Sequence, residues 1–395
     1  MDQVILKKGR AKPAMRRHPW VFSGAIATIS GRPADGDLVQ LCDAGNNFVA
    51  YGLLNRNSQI VVRLLSWDQE QIPDIAFWRQ RLERALAGRA LLDADPNTTA
   101  YRLVHAEADG LPGLIVDRYG DYLVVQFLIL GMDHRKKEIT DLLMEMAAPQ
   151  GIVERSDASV RAQEGLPSSV GLLCGDSPPD RLEVLENGHS FLVDLRGGQK
   201  TGFYLDQRAN RERLIAYCPD QTLLDVFCYS GGFSVYAAAA GAEHLTLLDS
   251  SADALALAGE NLRLNGRDTG GDEFIAANAF QQLRLFRDQN RAFDVVILDP
   301  PKFAHSKSEV RRAAQGHKDV NLLALQLLRP GGILASFCCS GRVSADLFQK
   351  IIFGAAIDAG RDVQIIERLS QGTDHPVLLT FPESEYLKGL ICRVC

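Results

Sequence analysis

The chain has 395 residues, 46% of them hydrophobic and 23% charged, with a formal net charge of −6. That length is too great for one ordinary domain and suggests two or three, and the balance of apolar and charged residues is that expected of a soluble globular protein with ample core. No run approaches the roughly 18 apolar residues of a membrane span. The opening Met-Asp-Gln-Val-Ile-Leu-Lys-Lys also lacks the apolar core of a signal peptide, so no membrane partner and a cytoplasmic location are expected.

The first segment, residues 1–72, carries short apolar runs at Val4–Leu6, Trp20–Phe22, Leu38–Leu41, Phe48–Leu54 and Ile60–Leu65, broken by Gly, Pro, Asn and Asp. That spacing predicts a small β-rich barrel or sandwich. It holds nine Lys/Arg against six Asp/Glu, a net of +3 that leaves −9 for the rest. Six of those bases, Lys7, Lys8, Arg10, Lys12, Arg16 and Arg17, fall in the first twenty residues. A basic patch on an acidic protein fits a nucleic acid held at one end, and equally fits a solvated face.

The second segment, 73–195, opens with a helical pattern over 74–92. Strand-like pieces follow at Leu114–Val116, Tyr122–Leu130 and Gly151–Glu154, with a helix over about 133–147 and a hairpin over Glu183–Leu195. This is an α+β pattern without a chemical motif. The third segment, 196–395, alternates strands with helices. Strands are expected at Thr222–Phe227, His244–Asp249, Glu273–Ala277, Phe293–Asp299, Gly332–Cys338, Val363–Leu369 and Leu387–Val394, and helices at about 232–240, 252–265, 318–328 and 344–359. Such alternation means a mostly parallel sheet covered on both faces.

The chemistry gathers in the third segment. In Leu-Leu-Asp-Val-Phe-Cys-Tyr-Ser-Gly-Gly-Phe-Ser, 223–234, an apolar strand enters a Gly-rich turn and then a helix. Ligands of open α/β sheets bind beyond the carboxyl ends of strands. The phosphate-cradling glycine signatures are missing, and Asp225 suits a cationic ligand better than a pyrophosphate; a simple helix-packing turn is the bland alternative. Asp249 ends the next strand, about 20 residues on, where a carboxylate takes ribose hydroxyls or caps a helix. Asn278 follows the third strand, to read an adenine edge or merely to stop the strand. Asp299-Pro300-Pro301-Lys302-Phe303 leaves the fourth. Its prolines stiffen the exit, and Phe303 offers a face for a base.

Ser-Phe-Cys-Cys-Ser-Gly, 336–341, ends the fifth strand. A thiolate there is a nucleophile if positive charge lowers its pKa, and otherwise the two thiols are a buried pair. The other cysteines are Cys42, Cys174, Cys218, Cys228, Cys392 and Cys395. The terminal Cys-x-x-Cys has no second pair or His cluster to complete a zinc site, so no metal and no disulfide framework are expected.

Taken together, the Gly turn, Asp249, Asn278 and Asp-Pro-Pro-Lys-Phe resemble class I S-adenosylmethionine-dependent methyltransferases. More closely, the chain is similar to bacterial 23S ribosomal RNA cytosine-C5 methyltransferases. The stretches that carry this are Arg17–Gly24, Asp109–Gly113, Lys200–Arg208, Asp299–Phe303 and Leu347–Ile352, spread over all three segments. The resemblance implies an N-terminal PUA RNA-binding β-barrel over 1–72, a central α+β domain over 73–195, and a Rossmann-like methyltransferase domain over 196–395. It implies an S-adenosylmethionine site built from Tyr204, Gln207, Asp225, Phe227, Tyr229, Ser230, Gly231, Asp249, Asn278 and Ala279. It implies Cys339 as a nucleophile toward cytosine C6 and Asp299 at the N3 edge, with Pro300, Lys302 and Phe303 beside the base. Lys7, Arg10, Arg16 and Arg17 are the RNA contacts suggested by clustering.

Lys302 stands where many cytosine-C5 enzymes carry a second cysteine, and Asp-Pro-Pro-Lys-Phe also resembles the loop of exocyclic-amine methyltransferases. A second reading is therefore N-methylation of an RNA base, and a third is an inactive RNA-binding assembly factor. Whether Cys338 substitutes for Cys339, and whether the chain forms a homodimer, stay open at this level.

Overall fold

In the computed structural model, which describes residues 1–198, 201–303 and 309–395, Lys200 of the Lys200–Arg208 stretch falls outside the described residues. The apolar runs of the first segment pair into a six-stranded sheet: β1 (Gln3–Leu6), β2 (Trp20–Phe22), β3 (Ile26–Ser30), β4 (Leu38–Cys42), β5 (Phe48–Leu54) and β6 (Ile60–Ser66), with a short α1 (Lys12–Met15). The order is β2-β6-β5-β4-β1-β3. Val4, Leu6, Val39, Leu41, Val62 and Leu64 alternate inward to form its core. β3 escapes a pattern reading because Ala27, Thr28 and Ser30 are exposed and only two isoleucines turn inward.

Next, Asp74 caps α2 (Ile75–Ala87) by accepting from the Phe77 N–H at 3.0 Å. The helical pattern then breaks at Gly88, and a separate α3 (Ala90–Asp93) follows. A five-stranded sheet comes next: β7 (Ala100–His105), β8 (Leu114–Tyr119), β9 (Tyr122–Phe127), β10 (Gly151–Ser156) and β11 (Ser169–Gly175), with α4 (Leu130–Asp133), α5 (Lys136–Ala147) and α6 (Val160–Gln163). Its order is β11-β10-β9-β8-β7. β12 (Leu182–Glu186) and β13 (His189–Val193) form a hairpin.

The third segment yields β14 (Thr222–Val226), β15 (His244–Asp249), β16 (Glu273–Ala276), β17 (Phe293–Leu298), β18 (Leu328–Cys338), β19 (Val363–Ser370) and β20 (Lys388–Val394). Between them run α7 (Arg208–Leu214), α8 (Gly232–Ala239), α9 (Ala252–Leu264), α10 (Ala279–Asp288), α11 (Val310–Leu327) and α12 (Ala345–Ala359). The sheet order is β16-β15-β14-β17-β18-β20-β19. It is parallel from β16 to β18, and β20 runs antiparallel to both neighbours. Strands buried on both faces must be apolar throughout. Leu224, Val226, Val296, Leu298, Leu334 and Cys338 accordingly enter one core with side chains from α10, α11 and α12.

By packing, the chain divides into two compact units. One comprises Met1–Leu185, Val193–Leu205 and Asp374–Ser384; the other comprises Glu186–Leu192, Asp206–Thr373 and Glu385–Cys395. Among the described residues no helix is long and apolar enough to cross a membrane, and no group of His, Cys, Asp and Glu side chains is placed to hold a metal.

Candidate active site

The strand order puts five chain positions side by side. Asn278, Asp249, Asp225, Asp299 and Cys339 lie at or just past the carboxyl ends of β16, β15, β14, β17 and β18, which are consecutive neighbours in the sheet. The register keeps them level: Asp249 pairs with Ala276, Val226 with Leu248 and Leu298, and Leu298 with Ser336.

Asp225 is 1% exposed. Ser234, one turn into α8, donates its hydroxyl to Oδ2 at 2.7 Å, while buried Oδ1 has no partner among the described residues. Burial, then the charges of Asp299 and Asp249, push its pKa up to about 7 against the pull of Ser234. Ser230 Oγ in the adjoining turn is likewise buried and unpartnered among the described residues. Buried polar atoms are rarely left so. Two of them, one at the end of β14 and one in the turn that follows, fit a polar, cationic ligand.

The turn from β14 into α8 is strained. Phe227 and Tyr229 take φ of 65° and 48°, and Gly231 takes 76°, a region that costs about 1 kcal/mol or more for a residue with a side chain. Neighbouring β15 holds the turn: the Leu248 carbonyl accepts from the Phe227 N–H at 2.8 Å, and Asp249 Oδ2 accepts from the Tyr229 N–H at 3.0 Å. Asp249 Oδ1 accepts from the Ser251 N–H at 2.9 Å. The helix cap of α9 is Ser251 rather than Asp249. A carboxylate has about four lone-pair sites, so Asp249 retains acceptor capacity for hydroxyls. Asn278 caps α10, its Oδ1 accepting from the Gln281 N–H at 3.2 Å. The side chain is exposed, and Ala279 behind it is buried.

On the other side of Asp225, Gln207 is buried and its Nε2 donates to Asp299 Oδ2 at 3.0 Å. Asn210 fixes that amide by donating to Gln207 Oε1 at 2.6 Å. Tyr204 lies in the first unit, in a run tied down by Thr201 Oγ1 donating to Asp117 Oδ2 at 2.7 Å and by the Phe203 N–H donating to Tyr119 Oη at 3.2 Å.

Pro300 is buried and Lys302 exposed. Phe303 packs on His317, ring centroids 4.8 Å apart. Burial holds His317 down at about 4, so it is neutral. A cavity of about 740 Å³ opens there, lined by Phe280, Phe303, Arg312 and Gly316, with neither Asp299 nor Cys339 in its lining.

The adjacent cysteines part company. Cys338 ends β18, is 0% exposed, and belongs to the core; burial raises its pKa. Cys339 is half-buried and its Sγ lies 3.9 Å from the Pro300 carbonyl oxygen. Beside them is a group that motif reading missed. Lys388 is buried, and its Nζ donates to the Ser340 carbonyl at 2.8 Å. A lone lysine heading the apolar run Lys388–Val394 was the available signal.

At the N-terminal end, Lys7, Arg10, Arg16 and Arg17 are all exposed, and none makes an ion pair among the described residues. Lys7 Nζ donates to the Gly24 carbonyl at 3.1 Å.

Comparisons with known proteins agree with this geometry. Residues 4–67 match a family profile described as PUA-like domain, and residues 141–391 match one described as S-adenosylmethionine-dependent methyltransferase. The chain is 44% identical, over 99% of its length and 98% of the relative's, to Ribosomal RNA large subunit methyltransferase I of Klebsiella pneumoniae (strain 342). It is 45% identical to the protein of that name in Aeromonas hydrophila subsp. hydrophila, again over 99% of this chain and 98% of the relative. Among solved structures, the crystal structure of SMU.776 complexed with SAH superposes with a TM-score of 0.88 at 23% identity, covering 100% of both chains. A SAM-dependent methyltransferase from Streptococcus mutans superposes at 0.86 and 22%, also covering 100% of both chains; at these identities the likeness is one of fold. S-adenosylmethionine is thus the cofactor for which the orphaned oxygens of Asp225 and Ser230 are suited. The chain belongs to the family of the ribosomal RNA large subunit methyltransferase I proteins, within the S-adenosylmethionine-dependent methyltransferases.

Proposed function

We propose that this chain methylates C5 of a cytosine in the 23S RNA of the large ribosomal subunit, in the cytoplasm, through a covalent adduct on Cys339. The observation that carries the choice of atom is the divergence of the two cysteines. Cys338 is committed to the core, while Cys339 stands at the strand end next to that of Asp299, with its sulfur beside the Pro300 carbonyl. The ribosomal substrate is read from the names of the 44–45% identical relatives.

When bound, S-adenosylmethionine supplies an electrophilic methyl group. Asp225 and Ser230 would hold its polar end, Asp249 would take its ribose hydroxyls, and Asn278 and Ala279 would flank its base, with Phe227, Tyr229 and Gly231 shaping the turn and Gln207 beside Asp299. Cys339 Sγ bonds to C6 of the cytosine, which makes C5 nucleophilic. Asp299, oriented by Gln207, acts as the carboxylic acid that gives a proton to N3 as negative charge develops there and takes it back when the adduct breaks down. After methylation a base takes the C5 proton, the C5–C6 double bond re-forms as the C6–S bond breaks, and Cys339 leaves as thiolate. Lys302 and Phe303 contact the base or its backbone. In the division of labour we assign, 1–72 binds RNA through Lys7, Arg10, Arg16 and Arg17, 73–195 is a connecting α+β domain, and 196–395 carries out transfer.

The test is Cys339→Ala. It is expected to bind cofactor like the natural chain by calorimetry and to transfer no methyl group, and 5-fluorocytosine RNA should form an adduct with the natural chain alone. Full transfer by Cys339→Ala sinks this reading. The Asp299-Pro300 exit favours one alternative, N-methylation of an exocyclic amine. Mass spectrometry of digested RNA separates the two, since it reports 5-methylcytosine or an N-methyl base.

A further inference from the structure

Lys388 has no role in the reading above. It is 7% exposed and makes no ion pair among the described residues. Its Nζ donates to two carbonyls, Ser340 at 2.8 Å and Tyr386 at 2.9 Å. Two carbonyls satisfy donors but do not neutralise a charge, and a buried ammonium without a counter-ion is costly. Such a group points to a use at a functional site.

Its surroundings identify that use. Lys388 opens β20 and sits opposite Cys338 in the antiparallel pair with β18. The carbonyl it grips belongs to the residue after Cys339. Among the described residues, the charged and titratable groups acting on it are Cys338 and Cys339 at the end of β18, Glu385 ahead of β20, and Lys302 beyond the two prolines. Asp299, at the end of β17, acts on Cys338 as well. Cys338 is closed in the core with its thiol form favoured, which leaves Cys339 as the thiol able to use the charge. Burial draws Lys388 below the ordinary lysine range, and negative charge on Cys338, Glu385 or Cys339 opposes that; with Cys338 kept as a thiol, the ammonium and a Cys339 thiolate stabilise one another.

We propose that Lys388 is a positioning residue for Cys339: it holds the backbone after the nucleophile through the Ser340 carbonyl and supplies the positive charge that favours thiolate over thiol. The proton lost by Cys339 goes to solvent, and Lys388 keeps its own. Lys302 works in the same direction, while Asp299 and Glu385 work against it. The inference rests on Cys339 being the nucleophile.

Peptide-resolved mass spectrometry of iodoacetamide alkylation, followed across about pH 5 to 10, tests it on the full chain without RNA or cofactor. Cys339 in the natural chain is expected to alkylate with a midpoint at least about one pH unit below the ordinary cysteine value of about 8.5. Lys388→Met should raise that midpoint by about one unit or more, and Lys388→Arg should restore most of the difference. An unchanged midpoint in Lys388→Met overturns the proposal. So does a natural-chain midpoint at or above the ordinary value, a result that needs no variant to fold. This arm uses no methyl acceptor, so its failure is told apart from failure of the functional reading, which only the Cys339→Ala transfer assay reports.

Discussion

At the scale of single residues, the most exposed consequence of the site is the titration of Asp225. Folding raises its pKa from 3.8 to about 7, so the folded chain binds this proton more tightly than the unfolded one. Stability from this group is therefore greatest below pH 3.8 and falls as pH rises toward 7. The full loss is on the order of 4 kcal/mol. In melting curves of the cofactor-free protein, the natural chain should lose stability relative to Asp225→Asn between about pH 4 and 7. Cofactor affinity should do the opposite, rising by up to about tenfold per pH unit below 7 in the natural chain and staying flat in Asp225→Asn; calorimetry at several pH values reads both slopes. Cys338 offers a contrasting check. Cys338→Ser places a hydroxyl in a closed core and should cost about 1–3 kcal/mol in denaturant unfolding while leaving methyl transfer in place. The positions of Asp225, Asp249, Asp299 and Cys339 were legible in the sequence because each terminates an apolar strand. Lys388 and Ser234 were not. Ser234 reads as an ordinary helix residue, and Lys388 acquires meaning only through a bond to a carbonyl 48 positions away.

At the scale of elements, the turn between β14 and α8 joins two demands. It must reverse tightly enough to bare its backbone at the strand end, and it must seat α8 against α9. Gly231 meets both. A Cβ added there would stand 2.9 Å from the Ala258 Cβ on α9, at a φ of 76°. Gly231→Ala should cost about 1–3 kcal/mol, read as a melting temperature lowered by several degrees, and should weaken cofactor binding further because the strained turn shifts. Most elements of the third segment were visible from the sequence, since parallel strands buried on both faces are unbroken apolar runs. α10 was missed because its run Ala-Phe-Gln-Gln-Leu-Arg-Leu-Phe-Arg-Asp buries only Ala279, Leu283 and Phe286. β11 was missed for a related reason: most of its side chains are exposed or half-buried, so no inward alternation marks it. The Gly88 break between α2 and α3 shows the reverse error, an apolar period that continues past a point where the backbone does not.

At the scale of the whole molecule, charge is segregated: a net +3 over residues 1–72 and −9 over the rest. If the exposed Lys7, Arg10, Arg16 and Arg17 meet phosphates, replacing all four with alanine should weaken RNA binding and flatten its dependence on log salt by roughly one unit for each phosphate no longer neutralised. Turnover at saturating RNA should change little. Filter binding across a salt series gives the slope, and an unchanged slope removes these four from the interface. The fold class was legible at this scale, but the packing of Asp374–Ser384 with the first unit was not. Nothing local announces that a loop between two strands of one sheet belongs to another body. The order of that sheet has a further consequence, for folding in time. β19 precedes β20 in the chain, yet β20 lies between it and β18. During synthesis β19 therefore waits without a hydrogen-bonding neighbour until β20 is made and inserts from the side. For that interval β18 is an open sheet edge and β19 an unpaired strand, both of which recruit foreign strands. The charged Glu367 and Arg368 within Val363–Ser370 stand where they discourage such capture.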